Sequence, residues 1–427
     1  MKSQGKKVVD PERSRRVFVG LSGGVDSAVS AALLKQQGFQ VTGVFIKAWS
    51  PPGFVCTWKE DRRSAMRAAA VLDISFLTLD LEKEYKQEVV DYMIKEYREG
   101  KTPNPDVMCN KEIKFGHFLK FALANGADYV ATGHYALRAE ARSSNPESRK
   151  EENSNAKIQD SRFKLLEGKD KNKDQSYFLW TLTQDQLKHT LFPIGHLEKS
   201  EVRKLAHKFG LPQETRKDSQ GLCFLGKIDM KEFLKEYLDV KKGDVVSENG
   251  EVIGEHDGAE LYTLGERHGF NIFKQTGEPV YVVGKDVEKN TITVAGKYNF
   301  DEKNETADQE SSFSENSEGG AVQKSPTKKV WLSQRRGTED FLRRSFSEQQ
   351  NICKIKNQNW ILGEEPKGEI ECRLRYRQTK IKCRVEGDNL FLPEGEVVAP
   401  GQSVVFYGSA SSAGGSEICL GGAIIAE

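Results

Sequence analysis

The stretch Val17-Phe18-Val19-Gly20-Leu21, running straight into Ser22-Gly23-Gly24-Val25-Asp26-Ser27, constrains this chain more than any other. Its apolar, β-branched start reads as a buried strand. Val25 to Gln37 has helical spacing, and Gly38 ends it. A glycine-rich turn between strand and helix gathers backbone N–H groups and the positive end of the helix dipole, which together attract an anion. Ser22 and Ser27 add hydroxyl donors. No lysine precedes the last serine, so this is not the P-loop of kinases and GTPases, and the glycine spacing is not the dinucleotide fingerprint.

Strand and helix then alternate. Val41–Ile46 and Ile74–Leu79 read as strands, as does Tyr129–Thr132. Lys59–Leu72, Glu82–Glu99 and Ile113–Asn125 read as helices, the last two stopped by Gly100 and Gly126. That rhythm predicts an α/β domain with a doubly wound parallel sheet. After about Asp229 the texture becomes β-rich. Asn249-Gly250 between Val245-Val246 and Val252-Ile253 signals a hairpin. Short runs at 281–283, 291–295, 370–374, 381–385 and 403–407 predict small antiparallel sheets or barrels.

At 427 residues the chain suits two or three domains. The expected division is a nucleotide domain over 1–228, a β-rich central domain over 229–298, a linker over 299–328 and a C-terminal β-barrel over 329–427. Two stretches read as solvated: a polar insertion at 139–160, and Asp301–Gly320, with seven acidic residues against one lysine. No apolar run approaches the roughly 20 residues of a membrane-spanning helix, and Met1–Arg16 does not read as a secretory signal. Seven cysteines spread over the chain, with no Cys-x-x-Cys pair, suit a reducing compartment and give no metal site. The expected location is the cytoplasm, or alternatively an organelle of a eukaryote.

Two of those cysteines stand in marked surroundings. Cys109 follows Thr102-Pro103-Asn104-Pro105-Asp106-Val107-Met108 and precedes the predicted helix at Ile113. That position puts it at the positive end of the helix dipole, with Lys111 and Lys114 nearby, and both would favour a thiolate. Cys223 lies in Asp218-Ser219-Gln220-Gly221-Leu222-Cys223-Phe224-Leu225-Gly226, a glycine-flanked loop. Taken singly, each also reads as a small buried hydrophobe.

Taken together, the loop and the two cysteine clusters resemble the tRNA-specific 2-thiouridylases, within the superfamily of PP-loop ATP pyrophosphatases, whose nucleotide domains are adenine nucleotide alpha hydrolase-like. Thr102 to Phe115 matches that family nearly residue for residue. Ala131-Thr132-Gly133-His134-Tyr135, Lys173-Asp174-Gln175-Ser176-Tyr177, Arg375-Tyr376-Arg377 and Pro400-Gly401-Gln402 match as well. The resemblance spans nearly all the chain outside the two insertions. It implies that Gly20, Leu21, Ser22, Gly23, Gly24, Val25, Asp26 and Ser27 hold the ATP phosphates, with Ile46 at the adenine and Gly133 lining the pocket. Magnesium is expected with the nucleotide. Asn104, Pro105 and Asp106 would meet the target base. His134, Lys173, Asp174, Gln175, Arg375, Tyr376 and Gln402 would touch tRNA.

The implied activity is ATP-dependent 2-thiolation of the wobble uridine of lysine, glutamate and glutamine tRNAs, giving AMP and pyrophosphate. ATP would adenylate uridine O2. Cys223 would carry a persulfide from a donor, a cysteine desulfurase or relay protein. Cys109 would attack it, leaving a transient Cys109–Cys223 disulfide. Sulfur then reaches the base directly or as free hydrosulfide. Further tRNA phosphate contacts are expected from Lys199, Arg203, Lys204, Lys208, Arg216 and Lys217, and from Arg373, Arg377, Lys380 and Lys382 beside Arg375.

Overall fold

The computed structural model of the chain describes residues 15–54, 57–141, 162–216, 229–273, 279–296, 351–408 and 417–426. The predicted parallel sheet is present. Its strands are β1 (Arg16–Gly20), β2 (Gln40–Lys47), β3 (Ser75–Asp80) and β4 (Tyr129–Ala131). A hairpin of β5 (Ala136–Ala141) and β6 (Arg162–Glu167) leaves the sheet before β7 (Thr190–Leu191) completes it. The order is β3-β2-β1-β4-β7, with every neighbouring pair parallel. The winding reverses between β1 and β4, so the crevice beyond their carboxyl ends is where this architecture places ligands.

Alternation along β1 shows why the sheet is covered on both faces. Val17 and Val19 pack with α1 (Val25–Gln36), α2 (Trp58–Val71) and the later helix 199–208. Phe18 faces the opposite core, with residues of α3 (82–98) and α4 (105–124). Gly38 and Gly100 take φ of +87° and +73°, the left-handed caps their positions predict. Both α3 and α4 contain π-helical winding, over Lys86–Val90 and Cys109–Phe118.

The start of α4 differs from the expectation. Pro103 and Pro105 suggest a stiff loop running to Ile113. The helix instead begins at Pro105, whose fixed φ suits a first helical position. The Asn104 side-chain oxygen accepts from the Val107 N–H at 3.2 Å and caps it.

Short α5 (Gln184–Lys188), α6 (Lys199–Lys208) and α7 (Met230–Lys235) lead to the central domain. There β8 (Gly243–Ser247) and β9 (Val252–His256) form the predicted hairpin, with Gly250 at φ +79°. β10 (Asn271–Ile272), β11 (Val280–Asp286) and β12 (Thr291–Gly296) complete a sheet in the order β10-β9-β8-β12-β11. The β8–β12 pair is parallel, where only antiparallel pairing was expected.

The C-terminal domain is a closed barrel of six strands. These are β13 (Asn351–Trp360), β14 (Ile370–Arg373), β15 (Ile381–Glu386), β16 (Asn389–Leu392), β17 (Ser403–Gly408) and β18 (Ile418–Ile425). They run β13-β16-β15-β14-β17-β18, and β13 pairs back to β18. The β5–β6 hairpin adds to this sheet through β6 on β18, so the first domain reaches across to the last. Residues 139–141, expected in the polar insertion, belong to β5. The rest of that insertion, Asp301–Gly320, the expected barrel start at 329, and Cys223 lie outside the described residues. Among the described residues no helix is long and apolar enough to cross a membrane.

Candidate active site

The loop after β1 is wired for anion binding. The Ser22 N–H donates to Ser27 Oγ at 3.2 Å, and Ser27 Oγ–H donates to the Gly24 carbonyl at 3.2 Å. Gly23 sits at φ +82°, where a side chain would be strained. Its carbonyl accepts from Ser64 Oγ at 2.9 Å and from Arg216 Nη1 at 2.9 Å, which fixes the peptide. Arg216 also pairs with Asp61. Gly133, just past β4, lies against the first turn of α1: a Cβ there would come within 2.7 Å of Ser27 N. Ile46 and Ser22 share a cleft with Phe45, Ala48, Trp58 and Asp61. Loop, Gly133 and Ile46 therefore surround one crevice, at the sheet's switch point. Asp26 accepts from Tyr135 Oη at 2.7 Å and pairs with Lys199 at 2.8 Å.

Cys109 lies inside α4 rather than ahead of it, five positions past its Asn104 cap, and is fully buried. Dipole stabilisation fades beyond the first turn, so that argument for a thiolate does not hold here. The two lysines remain on the helix. Lys114 Nζ lies 3.4 Å from His134 Nε2, and His134 directly follows the loop-lining Gly133. The Lys114–His134 contact thus links the crevice beside the glycine-rich loop to the cysteine helix.

The residues ahead of Cys109 sit where all three domains meet. The Thr102 N–H donates to the Pro400 carbonyl at 2.8 Å, and Thr102 Oγ1 is 3.1 Å from Thr263 Oγ1. Gly401 packs closely on Thr102 with φ +88°. Arg375 is exposed and donates to the Leu264 carbonyl at 2.9 Å. Tyr376 packs against Phe178 with the rings tilted, their centroids 4.5 Å apart. Lys173, Gln175 and Gln402 are half-buried, and Gln175 Oε1 accepts from the Tyr135 N–H at 3.0 Å. Asp174 is buried: it accepts from the Gly168 N–H at 2.9 Å and Ser176 Oγ at 2.9 Å, and burial pushes its carboxyl up.

Three family models match in succession: a tRNA methyl transferase HUP domain over residues 15–227, a tRNA methyl transferase PRC-barrel domain over 231–296, and an aminomethyltransferase β-barrel domain over 350–425. Full-length relatives carry a sulfur-transfer name. The tRNA-specific 2-thiouridylase MnmA of Halalkalibacterium halodurans is 40% identical over 97% of this chain and 95% of its own length. That of Streptococcus thermophilus is 40% identical over 96% and 95%. The chain belongs to the tRNA-specific 2-thiouridylase family. Of solved structures, a 4-thiouridine synthetase–RNA complex with bound ATP is similar at a TM-score of 0.31 and 17% identity, over 53% of this chain and 50% of that one.

Within this family member, several basic residues expected on the tRNA surface turn inward. Lys199 and Arg216 serve the nucleotide loop, and Arg203 donates to the Glu214 and Arg216 carbonyls at 2.9 and 3.1 Å. Arg373 and Lys380 are held by the buried Glu167. Lys204, Lys208, Arg375, Arg377 and Lys382 remain exposed. Charge patterning alone could not sort these two groups. Tyr135, Ser64, Asp61 and Trp58 gave no signal of their own, although Tyr135 lies in a matched motif.

His134 is another inward residue, 6% exposed and flanked by Phe115 and Phe192. Burial, then the Lys114 ammonium, pushes its imidazole well below the ordinary histidine range. The neutral ring contacts Thr132 Oγ1 through Nδ1 at 2.7 Å. The unfolded chain binds this proton near pH 6.5 and the folded chain does not, so folded stability should fall as pH drops below about 6.5. His134→Phe keeps the ring packing and removes the proton site. Denaturant titrations at pH 7.5 and 5.5 should show a smaller loss in the variant; equal losses would mean that His134 protonates in place.

Proposed function

We propose that this family member makes 2-thiouridine at the tRNA wobble position, expected in lysine, glutamate and glutamine tRNAs, with AMP and pyrophosphate as the other products. Adenylation turns uridine O2 into a good leaving group, and sulfur then displaces AMP at C2. The observation that carries this reading is the link described above: Gly133 packs on the phosphate loop, and its neighbour His134 touches the helix that bears Cys109. Nucleotide activation and thiol chemistry share one framework.

In this reading Gly20 to Ser27, Ile46 and Gly133 hold ATP. Asn104, Pro105 and Asp106 receive the base, and Lys173, Gln175, Arg375, Tyr376 and Gln402 contact tRNA. Asp174 and His134, both buried, act by shaping that surface. A stacked anticodon base would have to flip outward to reach the site. Cys223 carries the persulfide and Cys109 resolves it. The sulfur donor is a persulfide-bearing desulfurase or relay protein, and the cytoplasm, or a eukaryotic organelle, supplies the reducing setting.

Magnesium suits the crevice in one respect. Among the described residues no cluster of three metal-binding side chains occurs, but Mg2+ commonly takes one or two carboxylates and completes its shell with phosphates and water. Asp26 would be that carboxylate, and the ion would neutralise phosphate charge. The test is the product pair. With tRNA, a sulfur donor and labelled ATP, AMP and pyrophosphate should form in step with thiouridine. ADP as the main product would sink the reading.

A further inference from the structure

The phosphate loop has no lysine of its own, yet the fold brings one to it from 173 positions downstream of Asp26. Lys199 opens α6. Its Nζ lies 2.8 Å from both Asp26 carboxylate oxygens, and its side chain is only 13% exposed. The ammonium also stands 5.7 Å from the centre of the Tyr135 ring, whose hydroxyl donates to the same carboxylate. The backbone beneath it is fixed. The Lys199 N–H donates to Asp170 Oδ2 at 3.0 Å, and the Glu198 N–H donates to Glu201 Oε2 at 2.7 Å, so a capping box sets the start of α6.

Asp26 occupies the first turn of α1, where the helix N–H groups favour a negative charge. ATP brings several more negative charges to this same place. A carboxylate there opposes them unless a cation intervenes. Arg216 is committed to the Gly23 carbonyl and to Asp61. Lys199 reaches the loop through the Asp26 side chain, on a flexible stem that can turn.

We propose that Lys199 is a catalytic contact to ATP: on nucleotide binding its ammonium leaves Asp26 for oxygens of the two phosphates that depart as pyrophosphate. The inference rests on the AMP-and-pyrophosphate reading above. In that step the bond between the α-phosphorus and its bridging oxygen breaks, and the bond from uridine O2 to the α-phosphorus forms. The electron pair of the broken bond goes to pyrophosphate. Lys199 stays protonated throughout and offsets the charge that grows on the leaving group. Asp26 acts as its holding partner while the crevice is empty.

The test uses the full chain and inorganic pyrophosphate without divalent metal, titrated calorimetrically, beside steady-state kinetics with ATP and tRNA. Lys199→Met should weaken pyrophosphate binding about tenfold or more and lower kcat/KM for ATP about a hundredfold, mainly in kcat. Lys199→Arg, which keeps the charge, should recover kcat/KM to within about tenfold of the parent. Asp26→Asn should tighten metal-free pyrophosphate about threefold or more, because the competing carboxylate is gone. If Lys199→Met and Asp26→Asn both bind pyrophosphate within about twofold of the parent, Lys199 is a counter-ion of Asp26 only and the proposal is wrong. Should Lys199→Met not fold, Lys199→Gln takes its place: pyrophosphate binding within about twofold of the parent in both Lys199→Gln and Asp26→Asn overturns it. Parent enzyme that forms ADP would instead overturn the product reading, while the pyrophosphate titrations would still judge Lys199.

Discussion

Cys109→Ser should make no thiouridine and should accumulate a persulfide on Cys223 when incubated with a sulfur donor. Cys223→Ser should make none either, and should accumulate no persulfide. The asymmetry follows from access. Cys109 is fully buried on α4, a helix fixed at its start by Pro105 and by the Asn104 cap. An external donor protein cannot load a thiol that solvent does not reach. In the proposed reading Cys223, between Gly221 and Gly226, is the thiol that the donor loads. Resolution then needs the Cys109 thiol and the inner sulfur of the persulfide to meet, with a Cys109–Cys223 disulfide as the product. Adenylation needs neither thiol, so both variants should bind ATP and tRNA as the parent does. Peptide mass spectrometry with thiol labelling reads the outcome. Persulfide on Cys109 in the Cys223→Ser protein, with sulfur still reaching tRNA, would reverse the two roles.

Much of the nucleotide domain was legible because its signals are local. Period, glycine stops and the strand–loop–helix junction each act within a few residues, and α1, β2, α2 and β3 lie within a residue or two of their expected bounds. The start of α4 was misread because proline has two meanings, loop stiffener and first helical residue, and only the Asn104 cap separates them. What pairs over long distances was not legible. Nothing in residues 136–167 announces that their hairpin joins a barrel beginning at Asn351, because strand partners are chosen by tertiary packing. The same holds for the site. Gly20 to Ser27 stood out as an anion loop, but the partners that set it, Arg216, Ser64, Lys199 and Tyr135, come from four other places in the chain. Lys199 and Arg373 read as solvent-facing charges because sequence shows how many cations a segment has, not which carboxylates wait for them.

Glu167→Gln should loosen the barrel from the nucleotide domain. Glu167 ends β6, and its side chain is 2% exposed. Its Oε1 lies 3.1 Å from Arg373 Nη1 and 2.8 Å from Lys380 Nζ, in ion-pair contact rather than hydrogen-bond alignment, and Oε2 lies 2.7 Å from Lys171 Nζ. Burial opposes ionisation, but the Lys171 and Lys380 ammonium groups prevail and hold the carboxyl below its ordinary value. Arg373 also reaches Asp174 at 3.3 Å, and Lys380 pairs with Glu417. Neutralising Glu167 leaves two largely buried cations facing an amide. Breaking a buried pair from one side costs about 3–5 kcal/mol, so the melting temperature should fall by about 3–5 °C at this chain length. A fall under about 2 °C would mean that the two domains are held by packing alone. The same cluster joins Lys173–Gln175 to the strand leading to Arg375 and Tyr376, so tRNA affinity should weaken as well, by a route that salt can distinguish. Arg375→Ala should lower the slope of log affinity against log salt by about one, as the loss of a phosphate contact does. Arg373→Met should weaken tRNA binding at every salt concentration and leave the slope unchanged, because its charge already belongs to Glu167 and Asp174.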